Sequence, residues 1–270
     1  MNLNLEDKTA LVTGSSKGIG AAIAVALARE GARVIVHGRN VAHVESVVAT
    51  ITGSGGAAVG LLADLTDNAE VERLATAAEG QLGPIAILIN NAGGSGPKTD
   101  WLATQESEWS ATYDRNVLAA VRMTTRLLPE MRRSRWGRVI NISSAAATMP
   151  PSGGPDYSAA KAAINALTAS LAKAVAEDGI TVNAVSPGTI RSAKLEQAFR
   201  AVAADRSIAS ADASWEDVQA GVLPLFAQVP LRRVGELDEL ANAVAFLASP
   251  LASYITGINL RVDGGMSPSL

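Results

Sequence analysis

Tyr157 and Lys161 stand four residues apart in an alanine-rich, helix-forming stretch, and Ser144 precedes Tyr157 by thirteen residues. Residues four apart share one face of a helix, so the Lys161 ammonium can lie beside the Tyr157 phenol and favour its ionised form. A phenol brought toward neutral pH can donate a proton and, in the reverse direction, accept one. Near the other end of the chain, Thr13-Gly14-Ser15-Ser16-Lys17-Gly18-Ile19-Gly20 follows the apolar run Ala10-Leu11-Val12 and opens a helical pattern. A glycine turn between strand and helix is where a pyrophosphate is held by the helix N-terminus, because a Cβ would block its close approach. Glycines also serve ordinary turns after strands, but this strand-turn-helix context favours the nucleotide reading and makes Gly14, Ser16, Lys17, Gly18, Ile19 and Gly20 candidate cofactor contacts. A nucleotide site joined to an acid/base pair points to redox chemistry.

The elements that must position these groups alternate along the chain. Apolar, β-rich runs at 9–13, 33–37, 58–63, 86–90, 138–143, 181–186 and 258–262 alternate with helical patterns at 19–30, 41–51, 68–79, 106–127, 158–177 and 237–247. Such alternation is the signature of a parallel sheet with helices on both faces. The expectation is an α/β, doubly wound Rossmann-type domain of about seven parallel strands, occupying 1–270 as one unit.

The second expected strand ends in His37-Gly38-Arg39-Asn40, where a dinucleotide fold meets the adenosine ribose. No acidic residue stands at the strand end to accept from the ribose hydroxyls, and Arg39, with Lys17 across the site, favours a 2′-phosphate. NADP(H) is therefore expected in preference to NAD(H), which remains possible if Arg39 is only a solvated turn residue. Asp64-Leu65 after the third strand is a candidate for the adenine edge, with an N-cap role for Asp64 or Asp67 as the plainer alternative. Asn90-Asn91-Ala92-Gly93 after the fourth strand suits close packing against a cofactor through Asn91, Ala92 and Gly93, or is simply a polar turn. His37 and His43 have no partner triad and read as structural or surface residues.

Composition narrows the class. A net charge of -3 and a pI near 5.5 exclude the basic face that phosphate backbones require, so no nucleic-acid partner is expected. There is no cysteine, which removes disulfides, thiolate nucleophiles and cysteine-ligated zinc, and no metal site is expected. Residues 1–7 have neither the basic n-region nor the apolar core of a signal peptide, and no apolar run reaches the roughly 20 residues of a spanning helix. A soluble, cytoplasmic enzyme without membrane contact is the expectation.

Thr13–Gly20, Asn90–Gly93, Asn116, Ser144, Tyr157, Lys161 and Pro187-Gly188 together resemble, in order and spacing, the short-chain dehydrogenase/reductase family, from about Asp7 to Gly265. The branch of bacterial 3-oxoacyl-carrier-protein reductases and related carbonyl reductases looks most similar. The resemblance implies Tyr157 as general acid/base, Lys161 binding the nicotinamide ribose and lowering the Tyr157 pKa, and Ser144 orienting the substrate carbonyl. It further implies Asn116 anchoring a water in the proton relay, and Pro187, Gly188, Thr189 and Ile190 lining the nicotinamide. It places Asp263-Gly264-Gly265 near a subunit contact in a homotetramer. Ser192 stands where the family pattern often carries threonine, which keeps the hydroxyl. The expected activity is reversible, NADPH-dependent reduction of a ketone to a secondary alcohol. The alternatives are an NAD-dependent alcohol, sugar or steroid dehydrogenase, and a non-catalytic NADP-sensing regulator.

One stretch stands apart. Residues 189–229 look longer than in compact relatives and carry Leu195, Phe199 and Val202 at i, i+4, i+7, then Ser214-Trp215-Glu216-Asp217 as an N-cap for a second short helix. This reads as a substrate lid or an extra surface helix. Its apolar residues, Trp215, Val222, Leu223, Leu225 and Phe226 among them, predict a small-molecule substrate that is bulky and largely hydrophobic. The basic run Arg132-Arg133-Ser134-Arg135 reads as a solvated helix end.

Overall fold

The structure, a computed structural model, describes residues 2–96 and 100–268. Seven strands form one parallel sheet: β1 (Thr9–Val12), β2 (Arg33–Gly38), β3 (Ala57–Leu62), β4 (Ile87–Asn90), β5 (Gly137–Ile142), β6 (Ile180–Pro187) and β7 (Asn259–Val262), in the order β3-β2-β1-β4-β5-β6-β7. Side chains alternate across a strand, so each run feeds two cores. Ala10 and Val12, Val34 and Val36, and Ile87 and Ile89 pack on one face with Ile23, Leu27, Leu240 and Val244. Leu11, Ile35 and Leu88 pack on the other with Leu74, Met123, Leu127 and Val175. The first face is covered by α1 (Gly18–Arg29), α2 (Val41–Gly53) and α9 (Leu237–Ala248), and the second by α3 (Asn68–Leu82), α5 (Ala119–Ser134) and α6 (Pro155–Val175).

The strand order reverses direction between β1 and β4. Loops leaving their C-terminal ends diverge there and open a crevice, the place where open α/β sheets bind ligands.

Two helices differ from their expected bounds in ways that bear on the site. The expected helix 106–127 is α4 (Glu106–Tyr113), a π-helical turn over Asp114–Leu118, and α5. The expected helix at 158–177 begins earlier, with Gly154 at the N-cap and Pro155 in the first turn, where proline's fixed φ and missing N–H are tolerated. Tyr157 is therefore inside the helix that carries Lys161.

Within 189–229, α7 (Ala193–Asp205) and α8 (Trp215–Val222) form, with Ser214 Oγ accepting from the Asp217 N–H at 3.1 Å as the N-cap. The expectation of an apolar face turned to substrate is corrected here. Phe199, Trp215, Val222 and Leu223 are buried in a third core of their own, with Leu195 and Val202 packed against it, and Phe199 and Trp215 rings lie 5.8 Å apart. Only Leu225 and Phe226 of that set are exposed. No helix among the described residues is long and apolar enough to cross a membrane.

Candidate active site

The glycine loop is stitched to its neighbours before any ligand is considered. Thr13 Oγ1 donates to the Ile89 carbonyl at 3.1 Å and accepts from the Asn91 and Ala92 N–H groups, both at 3.0 Å. The Asn91 amide returns two bonds, to the Thr13 and Gly14 carbonyls, both at 3.0 Å. Gly14 and Gly20 are glycines for this packing: a Cβ on Gly14 would meet Ala92 Cα at 2.8 Å, and one on Gly20 would collide with the Asn91 amide and the Gly14 carbonyl. At Gly18, where φ is +57°, a Cβ would meet nothing within 4 Å, so this glycine faces open space. The sequence reading of glycine as room for a phosphate thus fits Gly18, while Gly14 and Gly20 make room for the β4 turn. Gly14, Lys17, Ile19, Gly20, Asn91, Ala92, Gly93, Ile190 and Ser192 line a cleft of about 310 Å³. The N-terminus of α1 at its edge, with Lys17, Ile19 and Gly20 in the wall, fits a dinucleotide's diphosphate.

His37, read from sequence as structural or surface, turns out to be the loop's third support. Its Nδ1 accepts from the Gly14 N–H at 3.0 Å and its Nε2 lies 3.1 Å from the Ala63 carbonyl. A carbonyl can only accept, so Nε2 carries the proton and Nδ1 is the lone pair. Burial then pushes its pKa from 6.5 down to about 4. Nothing in the residue's spacing revealed this, because its partners come from β1 and the end of β3.

Arg39 is exposed and lies 3.5 Å from the Asp64 carboxylate. Asp64 Oδ1 also accepts from the Thr66 N–H and hydroxyl at 2.9 and 2.8 Å, bonds that hold this carboxyl below its usual range, with the nearby Arg39 helping. Asp67, not Asp64, caps α3, through the Ala69 and Glu70 N–H groups. Leu65 is buried in the second core and its carbonyl accepts from Arg122 Nη1 at 3.2 Å, so its side chain is turned away from any adenine. Lys17 and Arg39 line different cavities: Arg39 shares one of about 500 Å³ with Gly93, Gly94, Arg115 and Asp156. Ser16 packs against Gly38, where a Cβ would meet it at 2.8 Å.

The acid/base residues meet beyond β5. Ser144 N-caps a short turn by accepting from the Ala146 N–H at 3.1 Å, and its hydroxyl also faces the Tyr157 phenol. Lys161 Nζ lies 5.6 Å from the Tyr157 ring centre and donates to the Ile142 carbonyl at 2.8 Å. Ser143, beside Ser144, points elsewhere and donates to the Lys161 carbonyl at 3.2 Å. The expected lowering of the Tyr157 pKa is not supplied by the chain's own groups. Burial raises the phenol above its ordinary value, and the Ser144 hydroxyl offsets only part of that. Lys161 is itself buried and pushed down to about 8.

Asn116 lies in the π-helical turn and spends its amide locally. It donates to the Gly94 and Thr112 carbonyls at 3.0 and 2.8 Å and accepts from the Gly94 N–H at 3.0 Å. Behind it, Val117 and Ala120 pack on Ala160 and Ile164 of α6. A buried link that the sequence reading missed completes this support: the Thr112 hydroxyl donates to Asp156 at 2.5 Å and accepts from Arg115 at 2.5 Å. Asp156 directly precedes Tyr157, so the turn and the start of α6 are tied together. Beyond β6, Gly188 donates to Val262 at 3.0 Å and lies too close to Asp263 for a side chain, while Ile190 reaches the cleft and Pro187 is buried.

A sheet of this order, with a glycine turn at its crevice and a Ser, Tyr and Lys set beyond β5, fits an oxidoreductase of the nicotinamide-dependent class. The chain belongs to the short chain dehydrogenase family, whose model matches residues 8–203. It is 40% identical over 264 residues to the 3-oxoacyl-[acyl-carrier-protein] reductase FabG of Escherichia coli, covering 98% of this chain and 99% of that protein. The FabG of Pseudomonas aeruginosa is 35% identical over the same shares. Among solved structures, the L-sorbose reductase of Gluconobacter frateurii, complexed with NADPH and L-sorbose, superposes over 100% of both chains with a TM-score of 0.92 and 30% identity.

Proposed function

We propose that this chain reduces a ketone to a secondary alcohol with NADPH. The observation that carries the reading is the meeting of Ser144, Tyr157 and Lys161 beyond β5, the strand next to β4, whose Asn91-Ala92-Gly93 turn lines the glycine cleft. NADPH, when bound, supplies the hydride. Tyr157 donates its hydroxyl proton to the carbonyl oxygen, and Ser144 holds that oxygen through a second hydrogen bond. Lys161, fixed by Ile142, places its positive charge beside the phenol and steadies the phenolate left after transfer. Asn116 holds the Gly93-Gly94 turn against the catalytic helix. The same groups run the oxidation in reverse with Tyr157 as base.

Gly14 to Gly20, Asn91 to Gly93, Gly188 and Ile190 hold the cofactor, with Lys17 and Arg39 as the available cations. NADPH in the related sorbose reductase supports NADP(H) over NAD(H). Arg39 also pairs with Asp64, the one contact that favours the second reading, an NAD-dependent enzyme, but a pair this exposed is weak and yields readily to a 2′-phosphate. The relatives' named substrates, a 3-oxoacyl chain and L-sorbose, share a ketone and little else. The buried apolar residues of α7 and α8 give no ground for choosing the bulkier one.

The test follows NADPH consumption with β-keto esters, aryl ketones and L-sorbose, and repeats it with Tyr157→Phe. The expected loss in kcat is at least about a hundredfold, with NADPH affinity kept. Full turnover by the phenylalanine variant would remove Tyr157 from the chemistry.

A further inference from the structure

Arg191 is bound from several sides in a way that no sequence pattern marked. Its backbone N–H donates to the Gly235 carbonyl at 2.8 Å. Its Nε and Nη2 donate to Glu196 Oε2 at 3.3 and 3.1 Å, and Nη1 lies 3.6 Å from Glu236 Oε1. The guanidinium carbon sits 4.9 Å from the centre of the Trp215 ring. Glu196 belongs to α7, Trp215 opens α8, and Glu236 N-caps α9. One side chain thus joins three helices. Trp215 is 5% exposed and its Nε1 has no partner among the described residues, so the indole is held by packing, against Arg191 and the tilted Phe199 ring. Arg191 is also part of the wall of the glycine cleft, beside Gly14, Lys17 and Gly20.

We infer that Arg191 is shared between the cofactor's diphosphate and the α7–α8 pair, and so carries the state of the cleft to those two helices. The inference rests on the nucleotide reading of the cleft. The Arg191 side chain is 36% exposed and the Glu236 side chain 51%. Ion pairs this wet contribute little, so they exchange readily. A guanidinium's planar fork suits phosphate oxygens as well as carboxylates, and two adjacent phosphates outcompete two partly exposed carboxylates, Glu196 at 27% and Glu236 at 51%. When Arg191 turns to the cleft, Glu196 keeps Arg200 at 3.0 Å, but Trp215 loses the cation on its face. Contacts between α8 and the 190–192 turn therefore change with cofactor. By reciprocity, whatever holds Arg191 to α7 works against cofactor binding.

Glu196→Gln and Arg191→Met separate this from a merely structural role. In Glu196→Gln the guanidinium is less committed, so NADPH and NADH should both bind more tightly, by about threefold. In Arg191→Met both should weaken by the same factor, about tenfold, because the diphosphate is common to them. Amide hydrogen exchange supplies the second readout. NADPH should slow residues 14–20 and alter 193–222 in the natural protein; in Arg191→Met at saturating NADPH only 14–20 should respond. A natural protein that responds nowhere loses the nucleotide reading itself. A response confined to 14–20 in the natural protein overturns the coupling and leaves that reading intact. Weaker binding in Glu196→Gln also overturns it, and this variant decides the matter should Arg191→Met fail to fold.

Discussion

His37 should make the protein lose stability in mild acid by an amount that one substitution removes. Its Nδ1 accepts from Gly14 and its Nε2 donates to Ala63, so a second ring proton has no acceptor and would face the Gly14 N–H. Burial holds the folded pKa at about 4 against 6.5 when unfolded. The folded state refuses the proton that the unfolded chain accepts, so this contribution is complete above the unfolded value and is lost as pH falls toward the folded one. Between about pH 8 and about pH 4.5 the loss is about 2.5 kcal/mol, and a folded value one unit higher still leaves about 1.9 kcal/mol. His37→Asn keeps an acceptor for Gly14 but does not titrate there. Carboxyls held low in the fold, such as Glu196 and Asp263, also release stability in acid, equally in both proteins, and cancel in the difference. Urea unfolding of both proteins at the two pH values measures it. The natural protein should fall further than the variant by about 2.5 kcal/mol; parallel losses within about 0.5 kcal/mol would show that His37 is not the neutral strut described.

Two further outcomes follow from the site. Because burial raises the Tyr157 phenol within the chain alone, its ultraviolet titration, taken as the difference from Tyr157→Phe, should lie above the ordinary tyrosine value, and the positive charge of bound NADP+ should bring it down; a normal or low value without cofactor would contradict the raised phenol. Arg39→Ala should weaken NADPH by about tenfold and leave NADH unchanged, and equal dissociation constants for the two cofactors in the natural protein would end the 2′-phosphate assignment.

The strands were legible to within a residue or so because a sheet buried on both faces needs unbroken apolar runs, and runs such as Ala10-Leu11-Val12 have no other reading. Tyr157 and Lys161 were legible because helix period puts them on one face, and Ser144 through the family resemblance, which pairs it with Tyr157. What spacing does not encode is partnership across the fold. His37 meets Gly14 and Ala63, and Asp156 meets Thr112, only after the chain has turned several times. The apolar pattern of 189–229 reads as a substrate lid or an extra surface helix, because periodicity reports which residues seek cover but not what covers them. Here they cover one another. The phenol's pKa was misjudged for the same reason: sequence shows the cation four residues on, but not the burial that raises the phenol and draws the lysine itself down to about 8.

The two halves of the site are held by separate means. Thr13, Asn91 and His37 fix the glycine loop to β4 and β2, and the Thr112–Asp156 link with the Val117, Ala160 and Ile164 packing fixes the first turns of α6. Neither set draws a bond from α7 or α8. Those helices have a core of their own and reach the cleft through the 190–192 turn, where Arg191 is the charged contact. A fold arranged this way can change α7 and α8 without moving Tyr157 or the glycine loop. Relatives that share this frame are named for a 3-oxoacyl chain and for a free sugar, so the sheet and its two cores admit more than one substrate.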